Sequence, residues 1–432
     1  MAHDNFAAYR LPLVRLERTP AAARTAIIAL LVVGVIGFVA SVLTDPTRAW
    51  RAYLYNWLFF TSIAQGAIIF SAATIMARGV WARGIRRIAQ STMGFLPIAF
   101  VLLIPIFFVG GKVFPWVEHP VPGKDVWLNI PFLAVRSLVL LGILFYLSSR
   151  FVYWSLRPDA GALRDRVPDR LRGVYDRLTR NWQGQAVEEE RAERNLSRLG
   201  PALALVYAVA FSFVAWDYVM SLEPHWFSTL IGPYFFMGAF LGGIALTALT
   251  AVICRGTLGL EKALVPPQFH DLGKMTFGFC VFWAYMFWSQ YIVIWYGQLP
   301  WEQAFLIHRL SKPYGPFALF VFLGLFVIPF FGLLGVKPKK TPSILATFAA
   351  LILFALWIER YVLVYPSLYL PDTGAVTIGW QEIVTALPFA GLLLMSMVNF
   401  ATRFPILQQW IPSADKEILL TSGEPVEAVA GD

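Results

Sequence analysis

Ten apolar runs, each long enough to cross a bilayer, alternate with polar connections along this chain of 432 residues. They cover roughly Thr25–Leu43, Ala52–Ala77, Ile88–Gly110, Trp127–Trp154 and Pro201–Ser221. Phe227–Cys254, Leu272–Gln298, Gly315–Val336, Thr341–Tyr361 and Ile378–Ala401 follow. The pattern predicts an all-α polytopic membrane protein. Residues 1–24 form a polar, basic N-terminal segment with no cleavable signal peptide evident, 25–401 the transmembrane domain, and 402–432 a tail. Only the connection at 157–199 is long enough to hold structure of its own. Its charges alternate in sign, with Asp159, Asp165, Asp169 and Asp176 among arginines and then Glu188–Glu190. That suits either surface helices lying on the membrane or on a neighbouring subunit, or a solvated connector. The tail beyond Pro412 is polar and is expected to be poorly ordered.

Composition points the same way. The chain is 58% hydrophobic and 14% charged, with a mean hydropathy of +0.63, more apolar surface than a soluble domain can hide. A net charge of +9 suggests nucleic acid only until the charges are placed. Seven basic residues (Arg48, Arg51, Lys112, Lys124, Arg309, Lys312, Arg360) fall on one side of the predicted membrane. Arg136 and Lys274 lie within or at the edge of spans, and the other 26 of the 35 lie on the second side. The positive-inside rule makes that second side cytoplasmic and puts both termini there. Lipid, not nucleic acid, is the expected environment.

Polar groups inside apolar runs are the candidates for chemistry, because hydrocarbon offers them no partners. On a helix, Lys274, Tyr285, Ser289 and Tyr296 fall within roughly 60° of one another. This stripe should face other helices or a wet cavity, as interhelical hydrogen bonding or as the wall of a proton path or quinone-facing groove. Arg136 lies roughly 13 Å below the outer end of the fourth run. Asp217 lies one to two turns from the outer end of the fifth. They form either a structural ion pair or part of a proton relay, with Tyr218 and Ser221 supplying hydroxyls along the route. Glu359, Arg360 and Glu382 sit at predicted span ends, where snorkelling accounts for them. The five histidines (His3, His119, His225, His270, His308) lie in tails, loops or span ends, so no transmembrane haem is expected. Cys254 and Cys280 belong to no cluster or disulfide motif, and no Walker A or GxGxxG stretch occurs.

The run Trp216-Asp217-Tyr218-Val219-Met220-Ser221-Leu222-Glu223-Pro224-His225-Trp226-Phe227-Ser228-Thr229 resembles the signature of the ActF subunit family of alternative complex III. Ser289-Gln290-Tyr291-Ile292-Val293-Ile294-Trp295-Tyr296-Gly297-Gln298-Leu299-Pro300 resembles that family too. The earlier part agrees, in order, through Trp81, Ile85-Arg86-Arg87, Phe114-Pro115-Trp116, Leu128-Asn129 and Arg136. The resemblance implies a relative of the polysulfide-reductase-type membrane subunits: two four-helix bundles plus two peripheral helices, in a bacterial inner membrane. It implies a subunit of a respiratory quinol-oxidising complex, carrying no redox centre, with a proton path. Its partners would be a sister membrane subunit with the quinol site, and periplasmic multihaem cytochrome c and iron–sulfur subunits. A stand-alone secondary transporter and a purely structural membrane anchor are the competing readings. With no in-membrane His pair or cysteine motif, the chain purified alone is expected to show no haem absorption. A stoichiometric Soret band would contradict this.

Overall fold

The computed structural model describes residues 11–413 and 415–416, and over these residues the chain is all-helical. His3 and the end of the tail through Asp432 lie outside the described residues. Ten helices are long and apolar enough to cross a membrane. Leaving aside single turns, the helices in chain order are α1 (Ala21–Thr44), α2 (Pro46–Met76), α3 (Val80–Phe108), α4 (Ile130–Leu163) and the short α5 (Asp169–Leu178). Next come α6 (Gln185–Tyr218), α7 (Ile231–Thr257), α8 (Pro266–Gly297), the short α9 (Pro300–Leu310), α10 (Gly315–Gly332), α11 (Pro342–Leu368) and α12 (Trp380–Arg403).

Helix starts follow local chemistry. Asp45 caps α2 by accepting from the Arg48 N–H, and Pro46 fills its first turn. Asn129 does the same for α4, accepting from Phe132 N–H ahead of Pro131. α3 is composite: it opens on a 3₁₀ turn at Val80–Ala82, and a second at Ser91–Gly94 interrupts it. α10 carries a π turn at Leu323–Val327.

α2 is the central helix. Every residue from Ala52 to Ala72 is buried, and α1, α3, α6, α7, α11 and α12 all pack on it. Its contact with α7 is closest at two glycines: a Cβ on Gly66 would stand 2.0 Å from the Ala239 carbonyl oxygen, and one on Gly243 would stand 2.1 Å from the Gly66 carbonyl carbon. Only glycine permits this approach. In lipid, close backbone packing of this kind replaces the hydrophobic drive that water would supply.

One expectation changes, and two stretches gain definition. The 157–199 connection is mostly helix: α4 and α6 run past the apolar core, with α5 between them. Arg157 clamps Glu188 (Nε–Oε2 2.6 Å, Nη2–Oε1 3.0 Å), so the two extensions are pinned together. The stretch ahead of Pro412 packs back onto the bundle, and beyond Pro412 only residues 413, 415 and 416 are among the described residues. Leu407 and Trp410 are buried, Ile406 N–H donates to Val14, and Leu16 N–H donates to Ala401, so both terminal segments meet at one end of the molecule. Glu359, Arg360 and Glu382 do not snorkel; all three are at most 1% exposed. α11 continues to Leu368, well beyond Tyr361, and leaves Glu359 nine residues, roughly 13 Å, from its end.

One span separates Lys312 from Lys340, both exposed. In a cysteine-free background, Lys312→Cys and Lys340→Cys are expected to react with an impermeant thiol reagent from opposite faces of the membrane. Labelling of both from one face would rule out α10 as a crossing helix.

Candidate functional site

α4 and α6 pack side by side and bring four of the candidate residues together. Arg136 grips Asp217 with two hydrogen bonds, Nε to Oδ2 at 2.8 Å and Nη2 to Oδ1 at 2.7 Å. The Trp127 indole N–H adds a third to Oδ1 at 3.2 Å, and its ring lies 4.3 Å below the guanidinium carbon. The carboxylate is 1% exposed. One residue on, the Tyr218 hydroxyl donates to Ser137 Oγ at 2.8 Å. The Ser221 hydroxyl donates to the Asp217 backbone carbonyl, so it braces the turn and leaves the carboxylate alone.

Along α4 the polar positions recur on one face. Ser137, Ser148, Ser155 and Asp159 lie within roughly 40° of one another at 100° per residue. From Ser137 to Asp159 the helix rises roughly 33 Å, about the hydrocarbon thickness of a bilayer. All four residues are buried, and each has a buried polar partner on another helix or on the tail. Midway, Gln65 Nε2 on α2 donates to Ser148 Oγ at 3.0 Å. Further on, Gln90 Nε2 on α3 donates to Ser71 Oγ at 2.9 Å and to Ser155 Oγ at 3.0 Å. Arg87 then joins Gln90 Oε1 (2.8 Å) to Asp159 Oδ2 (2.5 Å). Asp159 Oδ1 also accepts the backbone N–H of Trp410 at 2.9 Å, so the tail closes this end. The widest interval lies between Ser137 and Ser148. There the Trp57 ring, 5.6 Å from that of Tyr218, leads one helical turn along α2 to Thr61 and another to Gln65. The Thr61 hydroxyl is buried and has no hydrogen-bond partner.

The α8 residues behave differently. Tyr285 is 61% and Tyr296 75% exposed, and Lys274 is paired with its own-helix neighbour Asp271. Ser289 is half-buried. The expected stripe therefore points away from this chain's bundle rather than into a cavity of its own. The reason is rotational: the buried face of α8, carrying Trp283, Gln290 and Ile294, is centred roughly opposite Lys274 and Tyr285 on the helical wheel.

Other charges, which the sequence places at span ends or in loops, are buried and paired. Arg48 holds Glu382 (Nε–Oε1 2.7 Å, Nη2–Oε2 2.8 Å), and the Tyr365 hydroxyl also donates to that carboxylate at 2.7 Å. Arg360 donates to Glu359 at 2.7 Å, and Trp283 Nε1 donates to the same carboxylate at 3.1 Å. Near the end of the bundle remote from the termini, Arg309 donates to Glu223 at 3.3 Å and to Ser367 Oγ at 2.7 Å. Burial pushes the Arg309 guanidinium down to about 10, with Glu223 opposing the shift. The available signal was Tyr365-Pro366 continuing the apolar run past Tyr361, which places Glu359 and Arg360 inside it.

No protein-family model and no curated protein matches this chain. Function must therefore be argued from these residues.

Removing one partner of a buried ion pair strands the other charge, typically at a loss of about 3–5 kcal/mol. Asp217→Leu is expected to lower stability on that scale. Arg136→Met with Asp217→Leu should recover much of the loss, as read by thermal unfolding in detergent.

Proposed function

We propose that this chain is an ActF-type membrane subunit of a respiratory quinol-oxidising complex of the alternative complex III kind, multi-pass in a bacterial inner membrane with both termini cytoplasmic. In this reading it carries no redox centre of its own. It provides a proton path, and a docking face for a sister quinol-site subunit and for periplasmic iron–sulfur and multihaem cytochrome c subunits. The α2–α7 contact joins the two four-helix bundles that the resemblance implies, with α1 and α12 outside them.

The observation that carries the proton path is the polar line along α4. A stack of hydroxyls, two amides and two ion pairs that extends roughly 33 Å along one face of α4 is more than packing of the helices requires. Buried polar groups are costly, and apolar packing would hold α2, α4 and α6 together as well. The line has what a proton needs. Arg136–Asp217 and Arg87–Asp159 are ionisable groups at its two ends. Tyr218, Ser137, Ser148, Gln65, Gln90 and Ser155 can pass a hydrogen bond between them. The unpaired Thr61 hydroxyl stands in the widest interval, where a water can bridge it to its neighbours. The outward face of α8, with Lys274, Tyr285, Ser289 and Tyr296, then belongs to a partner subunit, because hydroxyls at that depth need polar company that lipid cannot give.

The identity of the complex is tested by native purification: co-purifying multihaem cytochrome and iron–sulfur subunits support it, and a chain that purifies alone counts against it. Within an assembled complex, Gln65→Leu removes the central relay at similar side-chain volume. Assembly and haem content are expected to stay intact while proton-coupled turnover falls by about tenfold or more. Wild-type proton-coupled turnover in an assembled Gln65→Leu complex would exclude this path.

A further inference from the structure

Far from the α4 line, a cavity of about 330 Å³ lies between α7, α8, α9, α10 and α11. Its size is at the low end for small-ligand sites, enough for a head group but not for a whole lipid. Exposed Trp288, Leu310 and Leu319 are part of its wall, so it reaches the outer surface of the bundle at membrane depth.

Two polar atoms on this wall lack partners. Gln290 Oε1, on the inward face of α8, is a buried acceptor with no donor. Arg309 Nε, on α9, is a buried donor with no acceptor. Both residues are more than nine-tenths buried. The remaining nitrogens of Arg309 are committed to Phe305 O, Glu223, Leu363 O and Ser367. The formal charges at the wall are matched as well, Arg309 by Glu223 and Glu359 by Arg360. The site is thus neutral overall, and it holds one spare donor and one spare acceptor within an apolar enclosure. Unmet hydrogen-bonding capacity at such depth favours whatever satisfies it.

We propose that this cavity binds the hydroxyl-bearing head of a neutral, membrane-soluble molecule whose apolar tail leaves past Trp288, Leu310 and Leu319. A head hydroxyl donates to Gln290 Oε1, and a head oxygen accepts from Arg309 Nε. An anionic head has no uncompensated cation to meet, and a cationic head meets no free carboxylate. Two lipid-soluble sources share the required chemistry, a hydroquinone and a hydroxylated glyceride. The inference rests on the cavity and on membrane insertion, not on the identity of the complex.

The test is saturable binding to the full-length chain in lipid nanodiscs, corrected for empty nanodiscs. Radiolabelled short-tailed hydroquinone and monoacylglycerol serve as separate arms. One arm is expected to saturate at one site per chain and to identify the source. Gln290→Leu, which keeps the side-chain bulk, is expected to weaken it about tenfold. Ala318→Trp, which fills the cavity, is expected to abolish it. Absence of saturable binding in both arms overturns the proposal. So does wild-type affinity in either variant when that variant unfolds at the wild-type temperature. Such a failure leaves the complex assignment standing, since co-purification tests that separately.

Discussion

Hydrocarbon supplies no hydrogen-bond partners, and that constraint orders nearly everything in this structure. A charge that could hydrate on a soluble protein must here find its counter-charge within the bundle, in most cases on another helix. Arg136 therefore meets Asp217 across α4 and α6, Arg48 meets Glu382 across α2 and α12, and Arg87 meets Asp159 across α3 and α4. Each pair is completed by further donors: Trp127, Tyr365 with Gly379, and the backbone of the tail, respectively. These bonds fix helix rotation more sharply than the apolar contacts around them, because a turned helix would strand a charge.

The fold was largely legible because the bilayer imposes a length rule. Runs of about twenty apolar residues have one stable outcome, and the number of crossings follows. Trp57–Ala73 and Tyr234–Thr250 are faintly alike in sequence, each apolar with glycine and other small residues, and the likeness has a physical meaning. These two stretches pack on each other, and Gly66 and Gly243, at equivalent positions within them, make the closest approach. Small residues in an apolar run are a packing signal carried by the sequence itself.

The candidate site was legible only in part. Arg136 and Asp217 stand out as lone charges in apolar runs, and depth alone paired them. Helix rotation is another matter. The sequence shows that Lys274, Tyr285, Ser289 and Tyr296 share a face of α8, but with hydrophobic residues all around the helix it holds no information on which face turns inward. That was decided by Trp283, Gln290 and Ile294, which pack inside. Glu359 and Arg360 were misplaced for a boundary reason, since α11 outlasts its most apolar stretch by two turns. Gln65, Ser148 and Ser155 carry no charge, so a search for ionisable groups passes over them.

The same rotational logic connects the parts. The stability of α4 comes from the apolar residues packed around it, while its polar face repeats at Ser137, Ser148, Ser155 and Asp159 and is met by one polar partner at each level. Four such matches on one face would not survive a rotation of α4 by even one residue, roughly 100°. The helix is thus held in register by bonds whose energetic return in a membrane is small, about 1 kcal/mol each. Apolar substitutes would match them in energy but not in fixing the rotation. The bonds form separate groups along that face, Tyr218 with Ser137, Gln65 with Ser148, and Gln90 and Arg87 with Ser155 and Asp159, and the unpaired Thr61 hydroxyl stands in the widest interval between them. The backbone N–H of Trp410 adds a further bond to Asp159, so the described tail residues help to fix α4 at the end where the two terminal segments meet.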